Sequence, residues 1–83
     1  MNIFSKPSLK ILCFLGRRYR EQYHTRELVR RLEIGLGSAS RYLRILEKEG
    51  LVLKEEKGKL SIYKANMESP LLKELKIVFT LLE

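Results

Sequence analysis

Residues 35–50 read GLGSASRYLRILEKEG, and their apolar and polar positions divide into two faces of a helix. At about 100° per residue, Ala39, Leu43 and Leu46 fall in one narrow stripe, while Gly37, Arg41, Arg44 and Lys48 fall on the opposite side. One face is core and the other is basic. Small residues at the helix entrance and arginines along its outer side suit insertion into a DNA major groove, where arginine makes bidentate contacts to guanine. Lysine and arginine also coat most amphipathic helices simply because they solvate well, so the neighbouring segments must decide between the two readings.

Immediately upstream, Leu32-Glu33-Ile34-Gly35-Leu36-Gly37 has the length of a turn between two helices, with Ile34 as an apolar plug and Gly35 as N-cap of the following helix. Ser38 or Ser40 offers a later cap, because two glycines weaken the first turn. Before this turn, Thr25 reads as the N-cap of a short helix that carries Glu27 in its first turn and the stripe Leu28, Val29, Leu32, and that ends near Glu33. A threonine there also suits phosphate binding through free helix N–H groups. The single histidine, His24, has no catalytic partner nearby in sequence and reads as a surface residue or a backbone contact.

Residues 17–24 are polar and basic, a connection to a first helix that starts at Ser5-Lys6-Pro7 and ends near Arg18. The apolar residues of that helix, Leu9, Ile11, Leu12, Cys13, Phe14 and Leu15, point in nearly all directions, so some are expected to face water or a partner. Cys13 within this run reads as a small buried hydrophobe.

Downstream, Gly50 suits the C′ position of the basic helix. Two β-prone runs, Leu51–Leu53 and Leu60–Tyr63, flank a charged stretch with Lys57-Gly58-Lys59 as its turn, which gives a hairpin with a basic tip. Placed after a basic helix, that tip is a candidate phosphate or minor-groove contact. Residues 65–70 form a linker whose Ser69 and Pro70 are N-cap and first residue of a last helix over 71–82. Leu71, Leu75, Val78 and Leu82 make one stripe on it, Leu72 and Phe79 a second, Ile77 and Leu81 a third, more apolar surface than a small core absorbs. The terminal helices, about 6–18 and 70–82, are therefore expected to build a two-fold dimer interface of a single domain spanning residues 1–83.

Composition narrows the classes. One cysteine and one histidine exclude an internal disulfide framework and a Cys/His zinc cluster, so neither metal nor cofactor is expected. No apolar run approaches the roughly 18 residues of a membrane helix, and the amino terminus lacks the order of a signal peptide, which points to a cytoplasmic protein. The net charge is +7, and residues 1–50 carry eleven of the seventeen basic residues against five of the ten acids. Basicity concentrated in the part that holds the two short helices and their turn is the footprint of a surface that meets phosphates.

The segment LVRRLEIGLGSASRYLRILEKEGLVLKEEKGKLSIYKAN, residues 28–66, resembles ArsR-like and MarR-like winged-helix regulators of prokaryotes. The specific portion runs from Ser40-Arg41-Tyr42-Leu43 to Gly50-Leu51-Val52, with the spaced leucines that lead into the wing, and the resemblance extends over about residues 9–66. The tail from Ala65 to Lys76 also looks like winged-helix modules found beside nucleotidyltransferase domains. The fold implied is mainly α with a small β-hairpin, a winged helix-turn-helix in the order α-α-α-β-β-α. The function implied is sequence-specific binding of double-stranded DNA by a homodimer that regulates transcription, with the third helix in the major groove and the wing on the backbone. Metal-sensing relatives use cysteine pairs or histidine–carboxylate sets that this chain lacks, and position 35, often Ser or Thr in the family, is Gly here.

On this reading Ser38, Ser40, Arg41 and Arg44 face bases or adjacent phosphates, Tyr42 flanks them, and Thr25, Lys57 and Lys59 hold the backbone. The competing reading is a protein-interaction module in which the winged helix serves as an adaptor. Enzymatic activity is not expected, since the chain has no glycine-rich phosphate loop, paired carboxylate site or nucleophile–base set.

Overall fold

The computed structural model describes residues 5–81, which form α1 (Lys6–Arg17), β1 (Tyr23–His24), α2 (Thr25–Leu32), α3 (Leu36–Lys48), β2 (Val52–Lys57), β3 (Leu60–Ala65) and α4 (Pro70–Leu81). The strands make an antiparallel sheet in the order β1-β3-β2. This is the winged helix-turn-helix architecture, with β2 and β3 as the wing and a short strand added to the expected order. Tyr23 and His24, read from the sequence as part of a connection, pair with Tyr63 and Ile62 along the outer edge of β3.

Each helix start has a local cause. Ser5 occupies the N-cap of α1 through its backbone alone: its carbonyl accepts the Leu9 N–H at 2.9 Å, its side chain makes no cap bond, and Pro7 sits in the first turn. The cap of α2 falls one residue earlier than the sequence suggests. His24 is extended (φ −84°, ψ 163°), its ring Nδ1 accepts the Glu27 N–H at 3.3 Å, and the Glu27 carboxylate accepts the His24 N–H at 3.2 Å. The imidazole thus takes the capping role the sequence assigned to the Thr25 hydroxyl, one amide earlier, and Thr25 becomes the first helical residue. Gly35 is the N-cap of α3, so the later start at Ser38 or Ser40 is not used. Ser69 caps α4, its Oγ accepting the Leu72 N–H at 3.3 Å, and Pro70 opens the helix.

Between α2 and α3 the chain reverses through Glu33, which adopts the left-handed conformation (φ 55°, ψ 46°), and the Ile34 N–H reaches back to the Val29 carbonyl at 3.3 Å. At the end of α3, Gly50 takes φ 77° and its N–H bonds the Glu47 carbonyl at 3.0 Å, while the Leu51 N–H bonds the Leu46 carbonyl at 2.9 Å. This pair of bonds is a Schellman closure, and it delivers both Leu46 and Leu51 to the core. The wing turns at Gly58-Lys59 between paired Lys57 and Leu60, with Gly58 at φ 62° as the first central residue of a two-residue hairpin loop. Asn66 then stitches the foot of the wing to the end of α3: its amide donates to the Gly50 carbonyl at 2.8 Å and its backbone N–H to the Leu51 carbonyl at 3.0 Å.

The core draws Ile11, Leu12 and Leu15 from α1, Leu28 from α2, Leu43 and Leu46 from α3, Tyr63 and Ala65 from β3, and Leu72 from α4, with Leu51 and Val52 at the junction. Burying each leucine contributes about 1.5–3 kcal/mol. The apolar ring of α1 is absorbed more fully than its sequence suggests, because α3 and α4 both pack on this helix. Leu9, Cys13 and Phe14 are half-buried and none is exposed. On α4, Leu72 is buried and Leu75 half-buried, whereas Leu71 and Ile77 are 40% and 66% exposed. The expected stripes through Val78, Phe79, Leu81 and Leu82 involve side chains outside the described residues. Among those described, no helix is long and apolar enough to cross a membrane.

Candidate nucleic-acid interface

The amphipathic division of α3 is realised in space. Ala39, Leu43 and Leu46 are fully buried, and Gly37, Arg41, Arg44 and Lys48 are exposed on the far side. The helix presents two flanks beside that outer face. On the flank toward the wing, Leu36 and Ser40 form one wall of an open cleft of about 210 Å³. His24, Thr25 and Arg26 at the start of α2 and Lys59, Leu60 and Ser61 at the wing turn complete it. The cleft therefore brings together three residues singled out in the sequence, Thr25, Ser40 and Lys59, from α2, α3 and the wing.

Arg44 lies on the same side of α3, one turn beyond Ser40, and its charge reaches the Tyr63 phenol. Burial raises the pKa of that phenol, and the cations Lys54 and Arg44 pull it the other way. On the opposite flank, Tyr42 is half-buried and packs against the core while the Arg41 guanidinium lies 4.9 Å from its ring centroid. Arg41 Nη2 also donates to the Tyr42 hydroxyl at 3.2 Å. The hydroxyl has a lowered pKa, first because the Ser5 hydroxyl lies against it and second because of Arg41; Ser5 Oγ itself completes no hydrogen bond. Tyr42 in this way holds the Arg41 guanidinium over its ring. Ser38 is half-buried on this flank, away from the cleft.

The wing cations differ. Lys57 is 3.9 Å from the Glu55 carboxylate and lies outside the cleft, whereas Lys59 lines it and has no such pairing among the described residues. An exposed pair of that length is worth little, but it draws the Lys57 charge toward its own strand. Of the other lining residues, Arg26, Leu36, Leu60 and Ser61 were not singled out in the sequence, and His24 was read there only as a surface residue or a backbone contact. The signal for His24 was Glu27 three residues on, which marks a capping box; for Arg26 it was the position just inside a helix N-terminus that meets the wing. Among the described residues no three His, Cys, Asp or Glu side chains converge to hold a metal ion.

The model of the family described as bacterial regulatory proteins of the arsR family matches residues 8–54, from α1 into the first half of the wing. The chain belongs to the arsR family. Its fold agrees with solved regulators of similar size. HlyU from Vibrio cholerae N16961 superposes with a TM-score of 0.78 at 25% identity, covering 96% of this chain and 82% of that one. The transcriptional regulator HlyU from Vibrio vulnificus CMCP6 gives 0.78 at 22% identity, over 96% and 78% of the two chains. NolR from Sinorhizobium fredii gives 0.77 at 16%, over 96% and 75%. The last two likenesses speak to the fold. No curated protein sequence matches the chain. As an arsR-family winged helix-turn-helix, the chain is a DNA-binding transcription regulator, and its fold is that of transcription regulators.

Proposed function

We propose that this arsR-family protein acts as a homodimer on a two-fold symmetric operator, with α3 in the major groove and the wing turn on the adjacent backbone. The observation that carries this reading is the convergence of Thr25, Ser40 and Lys59 in one cleft beside the exposed Arg41–Arg44–Lys48 face of α3. Arg41 and Arg44 reach base edges, Ser38 and Ser40 meet bases or the nearest phosphates, and Thr25, Lys57 and Lys59 hold phosphates. Tyr42 flanks the groove and positions Arg41. Leu71 and Ile77, exposed on α4, supply apolar surface for the second copy.

Selection of bound duplexes from a random library tests this directly. A palindromic consensus with half-sites one helical turn apart, about 10 base pairs centre to centre, supports both the reading and its symmetry. Affinity for random duplex should fall about 10³-fold between roughly 50 and 200 mM salt if six phosphates are neutralised. Negligible duplex affinity at either salt would favour the adaptor reading, in which the exposed face of α4 engages a different protein.

A further inference from the structure

Hydrogen bonding and charge leave two lining residues of the cleft without a role. Leu36 is the first residue of α3 and 47% exposed; Leu60 opens β3 just past the wing turn and is 49% exposed. Exposed leucines scattered singly are ordinary. These two line one cleft together with Thr25, Arg26, Ser40 and Lys59, and no acidic side chain lines it. The surface is thus apolar at its walls and cationic or hydroxylic around them. A free anion would leave the leucines unmatched, and an apolar ligand would leave the cations unmatched. A duplex edge matches both, since phosphates flank bases, and the thymine C5-methyl is the apolar group displayed in the major groove.

The position of Leu36 is the one that such a contact needs, because N-terminal residues of a recognition helix lie nearest the base edges. Gly35 and Gly37 on either side carry no side chain, and a Cβ added at either would meet nothing within 4 Å, so the surroundings are open and Leu36 is the side chain that projects there. We infer that Leu36, backed by Leu60, reads the C5-methyl of a thymine in each half-site. The arginines of α3 read guanine; the leucine adds a preference for thymine over cytosine. This inference rests on the DNA-binding reading given above.

The test uses the full chain and the duplex enriched from a random library. Each thymine is replaced singly by deoxyuridine, which removes the methyl and changes no hydrogen bond. One thymine per half-site should lose about fourfold in affinity, the worth of one buried methyl. Leu36→Ala should bind the parent duplex more weakly, keep the salt slope, and no longer distinguish thymine from deoxyuridine there. Arg41→Ala should bind more weakly yet keep the distinction, which separates methyl reading from a general loosening of the interface. At the same position, 5-methylcytosine should recover part of the affinity lost on changing thymine to cytosine. Indifference of the native chain to every deoxyuridine, or a distinction that survives Leu36→Ala, would overturn the inference with DNA binding intact. Failure of the library to yield any enriched duplex would overturn both.

Discussion

Glu33 is the one non-glycine among the described residues with positive φ, and it sits at the sharpest reversal in the helix-turn-helix. A side chain in that region costs about 1–2 kcal/mol, accepted here because the turn directs Ile34 toward the core and places the N-cap of α3, Gly35, two residues later. Glu33→Gly should relieve most of it and raise the thermal midpoint by several degrees, read by circular dichroism, with the fold unchanged. At the interface, Arg41→Ala and Arg44→Ala should each cost about 1–3 kcal/mol of operator affinity and relax sequence preference. Lys59→Ala should weaken all duplexes alike and lower the salt slope by about one, as titration of specific and random DNA at several salt concentrations will reveal. Equal behaviour of the arginine and lysine variants would contradict their assignment to bases and backbone. These residues were legible in the sequence because outward-facing positions of a helix follow from its period. The pairing of Arg41 with Tyr42 was not, since adjacent residues on a helix diverge and only the packed position of the Tyr42 ring lets the guanidinium lie over it.

At the scale of elements, α2 depends on a cap that sequence rules rank low. Histidine is not among the preferred N-cap residues, so Thr25 was the natural choice, yet the extended backbone that pairs His24 with Ile62 also swings its ring over the Glu27 amide. The cap and the edge strand therefore form together. His24→Ala should cost about 1 kcal/mol in denaturant unfolding, and His24→Asn, which restores a good cap, should recover most of it. A loss equal in both variants would show that the ring matters for packing instead. Strand β1 was invisible in the sequence because two residues carry no period. Strand β2 was legible only at its start, since Leu53–Lys57 are all exposed on a projecting wing and the alternation that marks a half-buried strand is absent. The turn at Gly58, the α3 closure at Gly50 and the start of α4 were legible, each fixed by local chemistry that does not depend on distant packing.

At the scale of the whole molecule, the apolar excess of the chain is distributed unequally. Of the two terminal helices, α1 spends its apolar surface largely within the chain, whereas Leu71 and Ile77 remain exposed on α4. Sedimentation at micromolar concentration should give a dimer, and Ile77→Lys should give a folded monomer with weakened binding to a two-half-site operator, because a side chain 66% exposed contributes little to the core. A native monomer would remove the symmetric reading. The bonds from Asn66 to Gly50 and Leu51 carry a further consequence. Since they lash the wing's foot to the far end of α3, the dimer proposed above would carry the α3 and wing contacts of each copy as a gauge block of fixed length. A base pair inserted within a half-site should then be rejected outright, whereas one inserted at the operator centre should be met by whatever play the subunit junction allows.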